Sequence, residues 1–231
     1  MKNQTITRSI VLVRTNYQEA DRILTLLTPD QGKVRVLAKG VRKSKSKMAG
    51  GIELFCIAEI GYIKGRGELC TLTSARLIKY FDTIVQDINR TMLGYELIKL
   101  LNKVTEDAPE PEYFELLSDT LEALDNPNIE IDLINLWFSA QLLRIAGHTP
   151  SLRTDASGKP LSQDGAYIFS YDDMAFSPHP EGPYRADHIK FLRLVLSGNK
   201  PDLLQKVKDV GKLIKPTLQL IQTILPNHIR T

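Results

Sequence analysis

The chain has 231 residues, 42% hydrophobic and 25% charged, the ordinary balance of a soluble globular protein with enough length to bury a core. Its net charge of +3 conceals a division: residues 1–80 carry 15 Lys+Arg against 6 Asp+Glu, and residues 81–231 carry 15 against 21, so the halves stand at +9 and −6. No apolar run approaches the roughly 20 residues of a membrane span and the first ten residues lack a secretory core, so the expectation is a cytoplasmic protein, outside the membrane, whose basic half faces a polyanion.

The first 80 residues read as five strands separated by turn chemistry. Thr5–Arg14 is the first, and Ile23–Thr28 the second, ended by Pro29-Asp30-Gln31-Gly32, where Pro and Gly suit a tight reversal. Lys33–Lys39 is the third; its alternation places Val34, Val36 and Ala38 on one face and Arg35 and Lys39 on the other. Ile52–Lys64 and Leu69–Leu77 follow, joined through Gly65-Arg66-Gly67. Five strands without an amphipathic helix among them point to a small barrel. An OB-fold presents loops to oligonucleotides, and an SH3-like barrel fits the strand count nearly as well. Cys56 and Cys70 lie in apolar strand segments and read as buried free thiols.

Between the third and fourth strands the chain is conspicuously basic. Lys33, Arg35, Lys39, Arg42, Lys43, Lys45 and Lys47 fall within residues 33–51 with no acidic residue among them, and the final third of that run offers nothing to bury. A cationic loop leaving a strand suits the phosphates of a nucleic acid. Arg14, Arg22 and Arg66 are further cations of the same half. For base stacking the aromatic candidates are Tyr17, Phe55 and Tyr62, with core packing the expected role of the last two.

From Asp82 the apolar period becomes helical. Ile84, Ile88, Met92, Tyr95, Ile98 and Leu101 mark the face of a first helix, which Asp107 to Pro111 breaks. Tyr113, Leu116, Leu117, Thr120, Leu121 and Leu124 mark a second, and Ile129, Leu133, Leu136, Trp137, Ala140 and Leu143 a third that stops at Gly147. Two more are predicted near Ala186–Leu196 and Asp202–Leu225, the latter kinked or split by Pro216. Residues 148–184 read as an irregular insert with a small hairpin, Ala166–Tyr171 and Met174–Ser177, around Asp172-Asp173. The fold class is therefore α+β: a five-stranded barrel domain over 1–80 and a helical bundle over 81–231.

No phosphate-binding glycine loop, His-Glu-x-x-His pair or Cys-x-x-Cys pair is present, and the four histidines are scattered. Glu19, Asp21 and Arg22 read as a turn cap or ion pair, not a catalytic set. Nothing argues for an enzyme.

Tyr17-x-Glu19-x-Asp21, Thr28-x-x-x-Gly32-Lys33, Ala38-Lys39-Gly40-x-Arg42-Lys43, Phe55, and Gly65-Arg66-Gly67 before Leu69-x-Thr71-Leu72-Thr73 together resemble the bacterial recombination-mediator and DNA-repair family RecO. Leu142-Leu143-x-x-x-Gly147-x-x-Pro150 is similar to that family's lead into a metal loop. The resemblance implies an N-terminal OB-fold, binding of single- and double-stranded DNA, and annealing without ATP. It implies partnership with RecR and docking of the single-strand-binding protein's acidic tail, which indirectly helps load RecA, in the cytoplasm at the nucleoid. It assigns the DNA contacts to Lys33, Arg35, Lys39, Arg42, Lys43, Lys45 and Lys47, with Arg14, Arg22 and Arg66 as lesser members. Many members hold zinc between two Cys-x-x-Cys pairs; here Thr154, Ser157, Ser177 and Pro180 stand at those places, so no cofactor is expected. An RNA-binding module and an interaction scaffold acting through the helical part are the alternatives.

Overall fold

The computed structural model describes residues 4–65, 67–105 and 110–228. It divides into two compact units, residues 1–126 and 127–231. The sequence boundary at 80/81 marks the end of the first five strands, and the first three helices group with those strands.

The first unit opens with β1 (Gln4–Tyr17), β2 (Asp21–Thr28), β3 (Gly32–Ala38), β4 (Cys56–Ile63) and β5 (Cys70–Tyr80). They close in the order β1-β2-β3-β5-β4, a five-stranded barrel of OB topology. β1 serves two neighbours: Gln4–Ile10 pairs with β4 and Ile10–Tyr17 with β2, with a register shift between Val11 and Val13 where the strand turns the corner. Closure rests on a short parallel seam, Val36↔Cys70 and Leu37↔Thr71. The expected alternation of β3 holds: Val34, Val36 and Ala38 line the barrel core, and Arg35 faces solvent. Both cysteines are buried and free, and desolvation pushes the Cys56 thiol up to about 11.

Three helices follow in the same unit: α1 (Asp82–Gln86), α2 (Ile88–Val104) and α3 (Pro111–Asp125). The single apolar face expected from Ile84 to Leu101 is divided at Asp87. Asp87 stops α1 and caps α2, its carboxylate accepting from the N–H groups of Asn89 and Arg90, so the helical phase restarts. Ile84, Ile98 and Leu101 are buried, but Ile88, Met92 and Tyr95 face solvent, and Leu93, Gly94 and Leu97 take the inner face. Arg90 lies inside as well, donating to the Leu124 carbonyl at 2.9 Å near the end of α3. Most of the expected break at 107–111 lies outside the described residues.

Phe55 joins barrel to helices. It is 1% exposed and adopts φ +58°, and its carbonyl accepts from Phe81 N–H at 3.0 Å. A Cβ on Gly94 of α2 would come within 2.7 Å of the ring, so only glycine allows this approach. Tyr62 is fully buried in the barrel, and both aromatics take the packing role.

The second unit centres on α4 (Ile131–Ile145), buried on nearly every side from Leu133 to Leu143. A left-handed Gly147, at φ +80°, ends it as expected, with His148 N–H returning to the Leu143 carbonyl. α5 (Ala186–Leu196), α6 (Pro201–Leu204) and α7 (Val210–His228) pack against α4. Pro216 does not split the last helix, which runs through it. The interruption falls earlier. Gln205 spends its side-chain amide on Asn128 O and Glu130 N, and Asp209 takes φ +57°, a conformation no right-handed helix can continue through.

The insert is more regular than its sequence suggested. β6 (Ser151–Asp155), β7 (Ala166–Ser170), β8 (Ala175–Pro178) and β9 (Tyr184–Arg185) form a sheet in the order β6-β8-β7-β9, and the expected hairpin is its centre. Phe169, Phe176 and Tyr184 meet edge-to-face beneath it.

Candidate nucleic-acid interface

The basic loop leaves β3 and is fastened to the β1–β2 turn. Asp21 accepts from Gly40 N–H at 2.7 Å, which fixes the left-handed Gly40 (φ +65°) at the loop's start. Arg42 N–H donates to Ala20 O at 3.0 Å, and the Arg42 guanidinium to Glu19 O at 3.1 Å. The Tyr17-x-Glu19-x-Asp21 and Ala38-Lys39-Gly40-x-Arg42 patterns are thus the two halves of one clasp. A cleft of about 600 Å³ lies within it, walled by residues 18–21 on one side and by Lys39, Gly40 and Lys43 on the other.

Beyond the clasp, short turns carry the loop forward: Lys43 N–H bonds to Gly40 O and Ser46 N–H to Lys43 O. The last third of the run does bury a side chain, contrary to expectation: Met48 packs, partly buried, against the barrel core. Val41 in the middle of the run and Ile52 just after it belong to that core. A 3-10 turn at Ala49–Ile52 replaces the expected start of the fourth strand. Gly51 there approaches Ala75 of β5 so closely that a Cβ would meet its backbone at 3.0 Å. With its apolar residues anchored, Lys39, Arg42, Lys43, Lys45 and Lys47 are left exposed along the outside.

Three of the other cations assigned from the sequence are already engaged. Lys33 is partly buried, and its ammonium donates to Asn102 O at 3.2 Å near the end of α2, where the helix dipole favours a positive charge. Arg14 and Arg22 share one carboxylate: Glu53 Oε2 meets Arg14, and Glu53 Oε1 meets Arg22 at 3.4 Å. Arg35 is exposed on β3, Tyr17 is 42% exposed beside the clasp, and Arg66 lies outside the described residues. Glu53, Asp21 and Asn102 were not read from the sequence as parts of this surface. Two carried a signal: Asp21 as a turn-cap candidate in the Tyr17-x-Glu19-x-Asp21 pattern, and Glu53 as the first acid after the acid-free run.

At the places where the resembled family ligates zinc, Thr154 and Ser157 flank a carboxylate-closed turn. Asp155 Oδ1 accepts from Ser157 Oγ at 2.7 Å and from the N–H groups of Ser157 and Lys159 at 2.9 Å each. Ser157 first, then Lys159, holds its carboxyl below the usual carboxylate range. On the far side, His179 Nδ1 accepts from Glu181 N–H at 3.2 Å, closing the turn that contains Pro180. Three hydroxyls (Thr154, Ser157 and Ser177) and a proline supply no thiolate, so these residues do not fit a zinc ion of that kind. Among the described residues no helix is long and apolar enough to cross a membrane.

Residues 1–81 match the family description "Recombination protein O N terminal", and residues 85–230 match "Recombination protein O C terminal". The chain belongs to the RecO family. Among its relatives, "DNA repair protein RecO" of Dehalococcoides mccartyi is 38% identical over 152 residues, covering 65% of this chain and 59% of the relative. The Bacillus pumilus protein of the same name is 33% identical over 168 residues, 72% of this chain and 64% of the relative. That of Prosthecochloris aestuarii is 30% identical over 179 residues, covering 76% and 68%. The match to the first of these thus spans less than two thirds of that relative's length.

Proposed function

We propose that the protein is a non-enzymatic DNA-binding factor of recombinational repair, which holds single- and double-stranded DNA by its phosphates and anneals complementary strands without ATP. The observation that carries this reading is the clasped loop on an OB barrel, with Lys39, Arg42, Lys43, Lys45 and Lys47 displayed outward along it. Phosphate contacts of this kind position a strand without reading its bases, which leaves the bases free to pair. RecR, the acidic tail of the single-strand-binding protein and, indirectly, RecA are the partners that family membership suggests. No structural zinc is assigned to the insert, whose turns close through Asp155 and His179.

If three to five cations contact single-stranded phosphates, log K should fall with log salt at a slope of about −2 to −3.5. Replacing Arg42, Lys43, Lys45 and Lys47 together by alanine should flatten that slope and weaken binding to all sequences alike. Annealing of complementary strands coated with the single-strand-binding protein should slow in parallel. Unchanged affinity in the fourfold variant would remove the loop from the interface, and tighter binding of single-stranded RNA in competition would favour the RNA-binding alternative.

A further inference from the structure

Arg14 and Arg22 are not ordinary surface cations. In the antiparallel ladder Arg14 stands opposite Leu24, and Arg22 opposite Ala38. Leu24 and Ala38 are fully buried in the barrel core. Cross-strand partners point to the same face of a sheet, so both arginines project on the barrel's inner side, at its mouth. Their side chains are 26% and 20% exposed, and Glu53, at 42%, gives one oxygen to each. Arg22 Nε also donates to Asn16 Oδ1 at 3.3 Å, which orients the guanidinium. Two half-buried guanidiniums converge on a single anion with two oxygens. That is the arrangement in which arginines hold a phosphate, and the pair carries one more positive charge than Glu53 cancels.

Glu53 follows directly after the Ala49–Ile52 turn that ends the basic loop. The anion on the arginine pair is therefore delivered by the same segment that displays the lysines. We propose that Glu53 is an internal phosphate mimic: it occupies a seat formed by Arg14 and Arg22 in the free protein and yields it to a nucleic-acid phosphate on binding. This rests on the phosphate-binding reading of the loop and adds a competitor to it. The exchange swaps one anion for another, with no bond made or broken. Its consequence is a self-imposed ceiling on affinity, since every phosphate entering the mouth must displace a tethered carboxylate.

The test is oligonucleotide binding by fluorescence anisotropy across a salt series, with melting temperature recorded for each variant. Glu53→Gln keeps the side-chain shape and one acceptor oxygen while removing the charge. It should bind about two- to tenfold tighter, the scale of the two ion pairs it releases. Glu59→Gln, which breaks the exposed pair with Arg76 at 3.1 Å on the barrel wall, should change binding less than about twofold and serves as the control for net charge. Arg14→Gln with Arg22→Gln should flatten the salt slope by about 0.7 for each phosphate lost, and in that background Glu53→Gln should have no effect. The proposal is overturned if Glu53→Gln weakens or leaves binding unchanged, if Glu59→Gln tightens it equally, or if the double-arginine variant keeps the full slope. Should Glu53→Gln fail to fold, the double-arginine slope still decides. If the fourfold loop variant still weakens binding in any of those cases, the loop reading stands and only the mimic falls.

Discussion

Gly94→Ala isolates the contact between barrel and helices and has an unusual sign. In an open helix the change removes backbone freedom from the unfolded chain and stabilises by up to about 1 kcal/mol. Here the added Cβ would lie 2.7 Å from Phe55 Cε1 and 3.1 Å from Cζ, with Leu124 Cδ1 at 3.6 Å behind it. Restoring ordinary contact needs a displacement of about 1 Å, the gap between 2.7 Å and the usual 3.4–4 Å. The ring has little room to give. It is 1% exposed, its backbone is held by Phe81 N–H, and Tyr95 stands edge-on to it at 5.1 Å. Overpacking of this kind costs about 1–3 kcal/mol, so the net expectation is destabilisation by about 1–2 kcal/mol, a fall in Tm of about 2–8 °C. Gly211→Ala in α7 is the internal comparison: that site is exposed with nothing within 4 Å, and the same substitution should be neutral or stabilising. Thermal scanning by circular dichroism reads both. A Gly94→Ala protein as stable as the parent, or more so, would show that Phe55 moves freely and refute the packing argument.

Two further outcomes follow from the second unit. His188 Nδ1 accepts from Arg185 N–H at 3.1 Å as a neutral ring, and burial lowers its pKa below the ordinary histidine value of 6.5. The unfolded chain takes up that proton first as pH falls, so this contribution is complete above about pH 6.5 and disappears as pH drops through the lower folded value. His188→Gln should flatten the dependence in a pH series of melting curves. Asp155, with its carboxyl held below 3.8, stabilises its turn at neutral pH and loses that effect as pH falls through the depressed value. Asp155→Ala should lower the melting temperature at pH 7, while prolonged treatment with a strong chelator should leave the parent unchanged; a chelator-induced drop would reinstate a metal.

The strands were legible because each rule was local. Alternation along Lys33–Lys39 placed Val34, Val36 and Ala38 inside, and Pro29 to Gly32 marked a real reversal. α5 has the bounds expected for it, since apolar spacing and packing agree there. Where the reading failed, one side chain had reset the local rule. Asp87 restarted the helical phase, so a continuous stripe from Ile84 broke after one turn and Arg90 went inside. Asp209 interrupted the last helix where Pro216 did not. The insert hid its sheet because β9 has two residues and β6 pairs parallel with β8 across distant sequence, which leaves no alternation to read. At the candidate interface the cations were legible as a run. Which of them are already engaged was not: the partners of Lys33, Arg14 and Arg22 are set by tertiary contact.

The short seam that closes the barrel has a consequence for breathing motions. β3 meets β5 through two residue pairs, whereas β1–β2 and β2–β3 each run for seven. Local opening free energy follows the number of interactions that must be given up together, so amides along this seam should exchange with solvent before those of the neighbouring ladders. The basic loop departs from β3 immediately after Leu37↔Thr71. The joint at which the barrel should open most readily is therefore also the root of the segment proposed to hold nucleic acid, and a strand bound across it would act as an external splint.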